Sequence, residues 1–448
     1  MYFPRSGVAV ALGLLGALGA ERALAQGGGT PPPRTTAAMD SPLPAEDAPP
    51  VDSLTAWALR DAPRLEARRR TADAAETRRR AAGALADPRL EVSLEDVAFP
   101  RYTVGEEEMS TLGFEVRQDL GGFTERGAAR RVARAVAAEQ HLEVAFLERQ
   151  TVRDVRVAYA RLYVLDARRR ELQSAQAVVK WLRDAATSRF GTGTAAMEPQ
   201  LRAQLAVARV DAELEDVHAE RQVELAQLNR IVGRPAGTPW GVFRALPAPP
   251  PGARGAALAT HDEAAVAVEV ARARAAVQTA DQRVELEIRG GRPRFEVAAG
   301  YANRGGFDPL VILRLDTGLP VWRRGKQGPL VAAARLEAAA ARADMRDAEL
   351  ATAAEQARWN AEWSRADAQL VRVRSTLLPQ AEAALDAARA AYGAGRGELV
   401  TVLEDWEIWL RARQELSQRE ADRFAAWAEL EVLAPGPELP EPAKGGNP

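Results

Sequence analysis

The chain has 448 residues, a formal net charge of -2, 27% charged residues and no cysteine. That balance excludes the strongly basic surface that nucleic acid attracts, so no nucleic-acid partner is expected. The missing cysteine excludes disulfides, thiolate chemistry and lipidation at a cysteine, while abundant Ala and Arg beside scarce aromatics point to long helices packed along narrow seams.

Residues 1–25 read as an export signal: Arg5 supplies the charge, residues 7–20 the apolar run, and Ala23-Leu24-Ala25 the small-x-small cleavage site. No later stretch approaches the roughly 20 apolar residues of a spanning helix, so a mature chain that enters a membrane must do so with strands. Residues 26–50 and 435–448 are rich in Pro, Gly or Thr and read as a disordered linker and tail. Between them lie two similar stretches, 51–245 and 256–434, joined by a Pro-rich connector at 246–255. Leu120-Gly121-Gly122-Phe123 and Arg126-Gly127 in the first answer Leu319-Pro320-Val321-Trp322 and Arg324-Gly325 in the second. Some 70 residues later, Arg189-Phe190-Gly191-Thr192-Gly193 answers Ala391-Tyr392-Gly393-Ala394-Gly395, and the equal spacing reads as an internal duplication.

Each copy opens with a charged, alanine-faced helix, over 54–85 and over 263–288. Two strands follow, with Leu90, Val92 and Leu94 then Leu112, Phe114 and Val116 alternating with polar neighbours. In the second copy Phe295, Val297, Ala299 and Tyr301 pair with Val311, Leu313 and Leu315. Period two with one apolar face is the signature of a membrane strand. Unbroken helical pattern then covers 128–188, with return partners at 199–232, and 329–391 returns through 399–433. Four strands cannot close a barrel, and an open edge in lipid leaves backbone groups unpaired, so copies must associate; three give about 12 strands.

Other readings of the same residues are plainer. Gly191, Gly193, Gly393 and Gly395 lack the Lys-Ser/Thr of a phosphate loop and read as helix-ending glycines. His141, His218 and His261 have no ligand spacing, so no metal site or cofactor is expected, and no nucleophile-base pairing suggests an enzyme. The Arg triplets at 68–70, 78–80 and 168–170 read as solvated faces or inter-helix pairs, and Trp406 and Trp409 as packing residues.

The chain resembles the TolC-like outer-membrane efflux protein family, including its heavy-metal and drug branch. The resemblance is carried by Leu377-Leu378-Pro379-Gln380-Ala381-Glu382, by 387–395 with its Tyr-x-x-Gly ending, and by Leu399-Val400-Thr401-Val402-Leu403-Glu404. A second signal is the strand-to-helix turn of Leu319, Pro320 and Trp322. The resemblance implies a mainly α fold with a small β part: a homotrimer with a periplasmic α-barrel of long antiparallel helical hairpins, and four membrane strands per chain in a shared β-barrel. It implies an exit duct in the outer membrane reaching into the periplasm, working with a periplasmic adaptor and an inner-membrane pump in efflux or type I secretion. It implies a periplasmic gate holding Phe190, Tyr392, Arg396 and Glu404. Thr401 and Gly397 depart from the family pattern, standing where an aspartate and a gate arginine are expected. The rival reading is a periplasmic adaptor or coiled-coil scaffold, which predicts one helical hairpin joined to soluble β domains.

Overall fold

The structure, a computed structural model, describes residues 47–97, 103–105, 108–192, 196–249 and 267–434. The expected signal, residues 26–46 of the linker, most of the connector, the tail, His261 and Gly193 therefore lie outside the described residues.

The first expected helix is two: α1 spans Val51–Asp61 and α2 Pro63–Ala81. Ala62 between them is extended (φ -62°, ψ 117°) because the ring of Pro63 disfavours helical backbone in the residue before it. Strands β1 (Arg89–Glu95) and β2 (Thr111–Gly121) follow, then the single helix α3, Phe123–Gly191. Its 69 residues reach about 100 Å at 1.5 Å per residue. Helix α4 (Met197–Val232) returns along it and ends in a left-handed glycine, Gly233 (φ 79°). There Arg234 N–H bonds the Asn229 carbonyl at 2.7 Å, closing the helix end.

The second half runs in the same order, with α5 (Val268–Gly290), β3 (Arg294–Arg304), β4 (Phe307–Gly318), α6 (Gly328–Arg372), α7 (Leu378–Gly393) and α8 (Leu399–Leu433). The expected helix at 329–391 is interrupted by a widened π turn, Val373–Leu377, and a second π turn, Arg323–Gln327, precedes it. Each sits just ahead of a proline, Pro379 and Pro329. A proline ring clashes with the carbonyl four residues back and lacks a donor. The chain answers by bonding five residues back, Leu378 N–H to Val373 O and Gly328 N–H to Arg323 O, so the helical path continues.

All four strands form one antiparallel sheet in the order β1-β2-β3-β4, so the central pair joins the two halves. Helix α4 covers the stretch of α3 far from the sheet and α2 the stretch near it; α3 also packs on α5 and α8, and α6 packs on both of those. Two clusters hold these helices. One gathers Leu54, Val155, Tyr159, Leu162, Leu228, Phe243 and Phe424 from α1, α3, α4, α8 and the segment after α4. The other gathers Leu172, Val179, Leu182, Val210, Leu385, Val402 and Trp406 at the far end. Each fully buried leucine contributes about 2 kcal/mol.

Composition assigns residues 47–50 to the linker, yet they are ordered. Ala48 N–H bonds Val242 O at 3.0 Å and its side chain packs against the first cluster. Each arginine triplet has a member in an ion pair, between helices for Arg69 and Arg168 and within α2 for Arg79. Arg69 pairs with Glu148 (2.6 Å), Arg79 with Glu76 (2.5 Å), and Arg168 with Glu213 (3.5 Å).

Candidate functional site

Two regions collect the residues of interest: the turns that end the long helices, and the sheet with its junction to α6. At the turns, α7 closes through paired backbone bonds. Arg396 N–H reaches Ala391 O (3.0 Å) and Gly395 N–H reaches Tyr392 O (3.0 Å), with Gly395 left-handed at φ 75°. The chain then doubles back so tightly that a Cβ on Gly397 would stand 2.9 Å from Tyr392 N and 3.1 Å from Ala391 C. Only glycine fits there, which accounts for the missing arginine at that position. The neighbouring Arg396 is exposed.

Tyr392 is buried in the second cluster beside Leu385, Leu399 and Trp406. Its partner comes from the other hairpin. Arg189, near the end of α3, donates from Nη2 to the Tyr392 carbonyl at 2.6 Å, and its guanidinium lies 4.2 Å from the tyrosine ring centroid. A reciprocal contact runs the other way, with Arg389 of α7 5.8 Å from the ring of Trp181 on α3. Two arginine-aromatic contacts therefore tie the hairpin ends together, each worth about 0.5–1 kcal/mol where exposed. Phe190 is exposed and Gly191 ends α3, so Arg189 rather than Phe190 makes the link. Sequence reading missed Arg189 and Trp181, since nothing local marks a contact between residues 203 positions apart. Glu404 is exposed on α8, and its side chain makes no ion pair or hydrogen bond among the described residues, while Asp405 is half-buried. Trp406 is buried as expected of a packing residue.

In the sheet, register sorts the side chains by face. Val92 pairs with Phe114, Phe114 with Tyr301 and Tyr301 with Val311; likewise Leu90, Val116, Ala299 and Leu313 form one row. These large apolar side chains are exposed, Leu313 at 81% and Val311 at 75%. The opposite face is charged. Arg117 pairs with Glu91 (2.8 Å) and Glu115 (2.5 Å), and Arg314 with Glu115 (3.4 Å). At the hairpin end the β3–β4 turn, Gly305-Gly306, touches the β1–β2 loop. Gly105 (φ 94°) and Gly305 (φ 65°) approach so closely that a Cβ on Gly305 would lie 2.6 Å from Gly105 Cα. At the other end, Leu319, Val321 and Trp322 are exposed, while Pro320 is half-buried.

Comparison with solved structures finds this arrangement in outer-membrane channels. VceC of Vibrio cholerae is 20% identical over 86% of this chain and 96% of its own, with a TM-score of 0.72. CusC is 14% identical over 89% and 96%, with a TM-score of 0.71, and the channel OprN is 16% identical over 89% and 95%, with a TM-score of 0.68. The fold is TolC-like. No protein-family model matches the chain, and no curated protein matches its sequence. At such identities the likeness is one of fold, and within the TolC-like fold Tyr392, Arg396 and Glu404 all lie at or just beyond the α7–α8 turn, with Leu319, Pro320 and Trp322 at the base of the sheet. The sequence thus separates into two sites what the fold places at opposite ends of one continuous helical path.

Proposed function

We propose that this chain is the outer-membrane exit duct of a tripartite efflux or type I secretion system, passing small molecules or ions from periplasm to exterior. The observation that carries the reading is the sheet: one face is exposed and apolar along all four strands, the other is charged, and the outer edges of β1 and β4 have no strand partner among the described residues. Apolar-out and polar-in alternation is what a lipid-facing, water-lined barrel wall requires. Strand β4, at 12 residues, is about 40 Å long and about 29 Å tall at a 45° tilt, enough for the apolar band of such barrels.

Open edges in lipid leave backbone groups unsatisfied, so the chain works as a homotrimer of about 12 strands. The long helices continue the duct into the periplasm, where a periplasmic adaptor and inner-membrane pump engage it. The duct is closed at rest by the linked hairpin ends, with Arg189 on Tyr392, and opens by a small shift between two packed states. Its task is to remove the desolvation cost of polar cargo crossing lipid, which needs a water path and no catalytic group. The rival scaffold reading predicts a single hairpin. Two hairpins, each preceded by two strands of one shared sheet, favour the duct.

Planar-bilayer conductance of the purified, detergent-extracted protein, with its oligomeric mass, tests the proposal. Discrete openings from a trimer are expected. A water-soluble monomer without conductance would sink the reading.

A further inference from the structure

Immediately beyond β4 the chain carries Trp322, the large apolar residue at 77% exposure, followed by Arg323, Arg324 and Lys326 in the π turn. All three cations are exposed, and none of their side chains has a hydrogen-bond or ion-pair partner among the described residues. Arg294 close by differs, pairing with Asp119 at 3.7 Å and Glu125 at 3.6 Å. No acidic residue stands in the turn to balance them. Leu319 continues the exposed apolar row of Leu313 and Leu315, so the cations sit just past the end of the apolar band. At the opposite, hairpin end of the sheet Arg304 is engaged by the Glu108 carbonyl at 2.5 Å.

We propose that Trp322 with Arg323, Arg324 and Lys326 forms a docking collar for anionic phospholipid head groups on the helical side of the membrane. This rests on the reading that the sheet spans a bilayer. An indole at the end of an apolar band prefers the interface, where its ring is half-solvated. Unpaired cations beside it meet phosphate at head-group depth and lose no protein partner in doing so. The one-sided charge gives the sheet an orientation. Its basic end stays with the anionic lipid.

The test uses the full purified chain in detergent, stripped of lipid and titrated with phosphatidylglycerol, phosphatidylcholine or inorganic phosphate, reading the temperature at which the assembly dissociates. Phosphatidylglycerol is expected to raise that temperature at concentrations where the other two do not. R323Q/R324Q/K326Q is expected to raise the half-effective phosphatidylglycerol concentration roughly 100-fold, and R323K/R324K to leave it in place. If the triple variant does not assemble, K326Q alone is expected to shift it roughly fivefold. Equal response to both lipids, an unchanged titration in the glutamine variants, or reproduction of the effect by inorganic phosphate overturns the collar. Bilayer conductance keeps the two readings apart. Wild-type channels with lipid-indifferent stability remove the collar alone, whereas a wild type without channels removes the membrane reading and the collar with it.

Discussion

Asp166 is a carboxylate placed where no water reaches it, its side chain fully buried within α3. It is held by Arg221 of α4, whose Nε donates to Oδ1 at 2.7 Å and Nη2 to Oδ2 at 3.3 Å; the Phe243 N–H adds a bond at 2.8 Å. The same Nη2 also donates to the Gly241 carbonyl at 2.8 Å. The pair thus pins the segment after α4 onto two helices, and every charge in it is satisfied. Replacing only one member leaves a buried, uncompensated charge, so Asp166→Ala is expected to destabilise the protein by about 3–5 kcal/mol, far beyond the loss for an exposed pair. The midpoint of denaturant unfolding in detergent, followed by circular dichroism, checks this. A shift equal to that of Arg60→Ala, whose partner Asp61 is exposed, would remove the claim. None of this was legible in the sequence. Asp166 and Arg221 look like any of the charged residues that crowd these helices, because period and composition record which face is apolar and not which charge is turned inward.

Elements were far more legible than residues. Strand positions follow from strict alternation, and α3 and α8 from long unbroken helical pattern, since both signals are local and repeat many times. What failed was punctuation. Pro63 splits a helix that periodicity runs straight through, whereas Pro379, by the same local rule, ought to end a helix and does not, because a π turn absorbs it. The outcome at each proline depends on what packs around it. At Pro379 continuity lets α7 reach the second cluster, while at Pro63 the break lets α1 join the first. The hairpin tips give an element-scale prediction. Gly305 needs a left-handed backbone and has Gly105 Cα where its side chain would be. Gly305→Ala is expected to cost about 1–2 kcal/mol in backbone strain alone, with more from the displaced loop. It should lower the thermal midpoint while leaving single-channel conductance unchanged, because the tip lies at the sheet end remote from the helix turns. Gly306→Ala, where a Cβ meets open space, is the control expected to be nearly silent.

At the scale of the whole molecule, the question is where the proposed duct would tell ions apart. A groove of about 1020 Å³ runs between α3, α4, α6 and α8. Arg161, Arg168 and Arg358 line it beside Glu220, Glu224 and Glu362, so the two signs alternate and no single ion is favoured. Glu429 also lines it. Burial pushes its carboxyl above the ordinary glutamate range despite Arg153 nearby. The turn between α7 and α8 is different. Glu404 is exposed, one helical turn past Thr401, with nothing of opposite sign holding its side chain among the described residues. In a trimer three such carboxylates would face a common axis, and a ring of uncompensated charge at a constriction attracts cations and repels anions. Glu404→Gln is therefore expected to lower the cation-over-anion permeability ratio, read as a reversal potential nearer zero under a salt gradient. Asp405→Asn, at a half-buried neighbour, should leave it nearly unchanged. A reversal potential unaltered by Glu404→Gln would move selectivity away from this turn and into the mixed-charge groove, where it would have to arise from shape rather than sign.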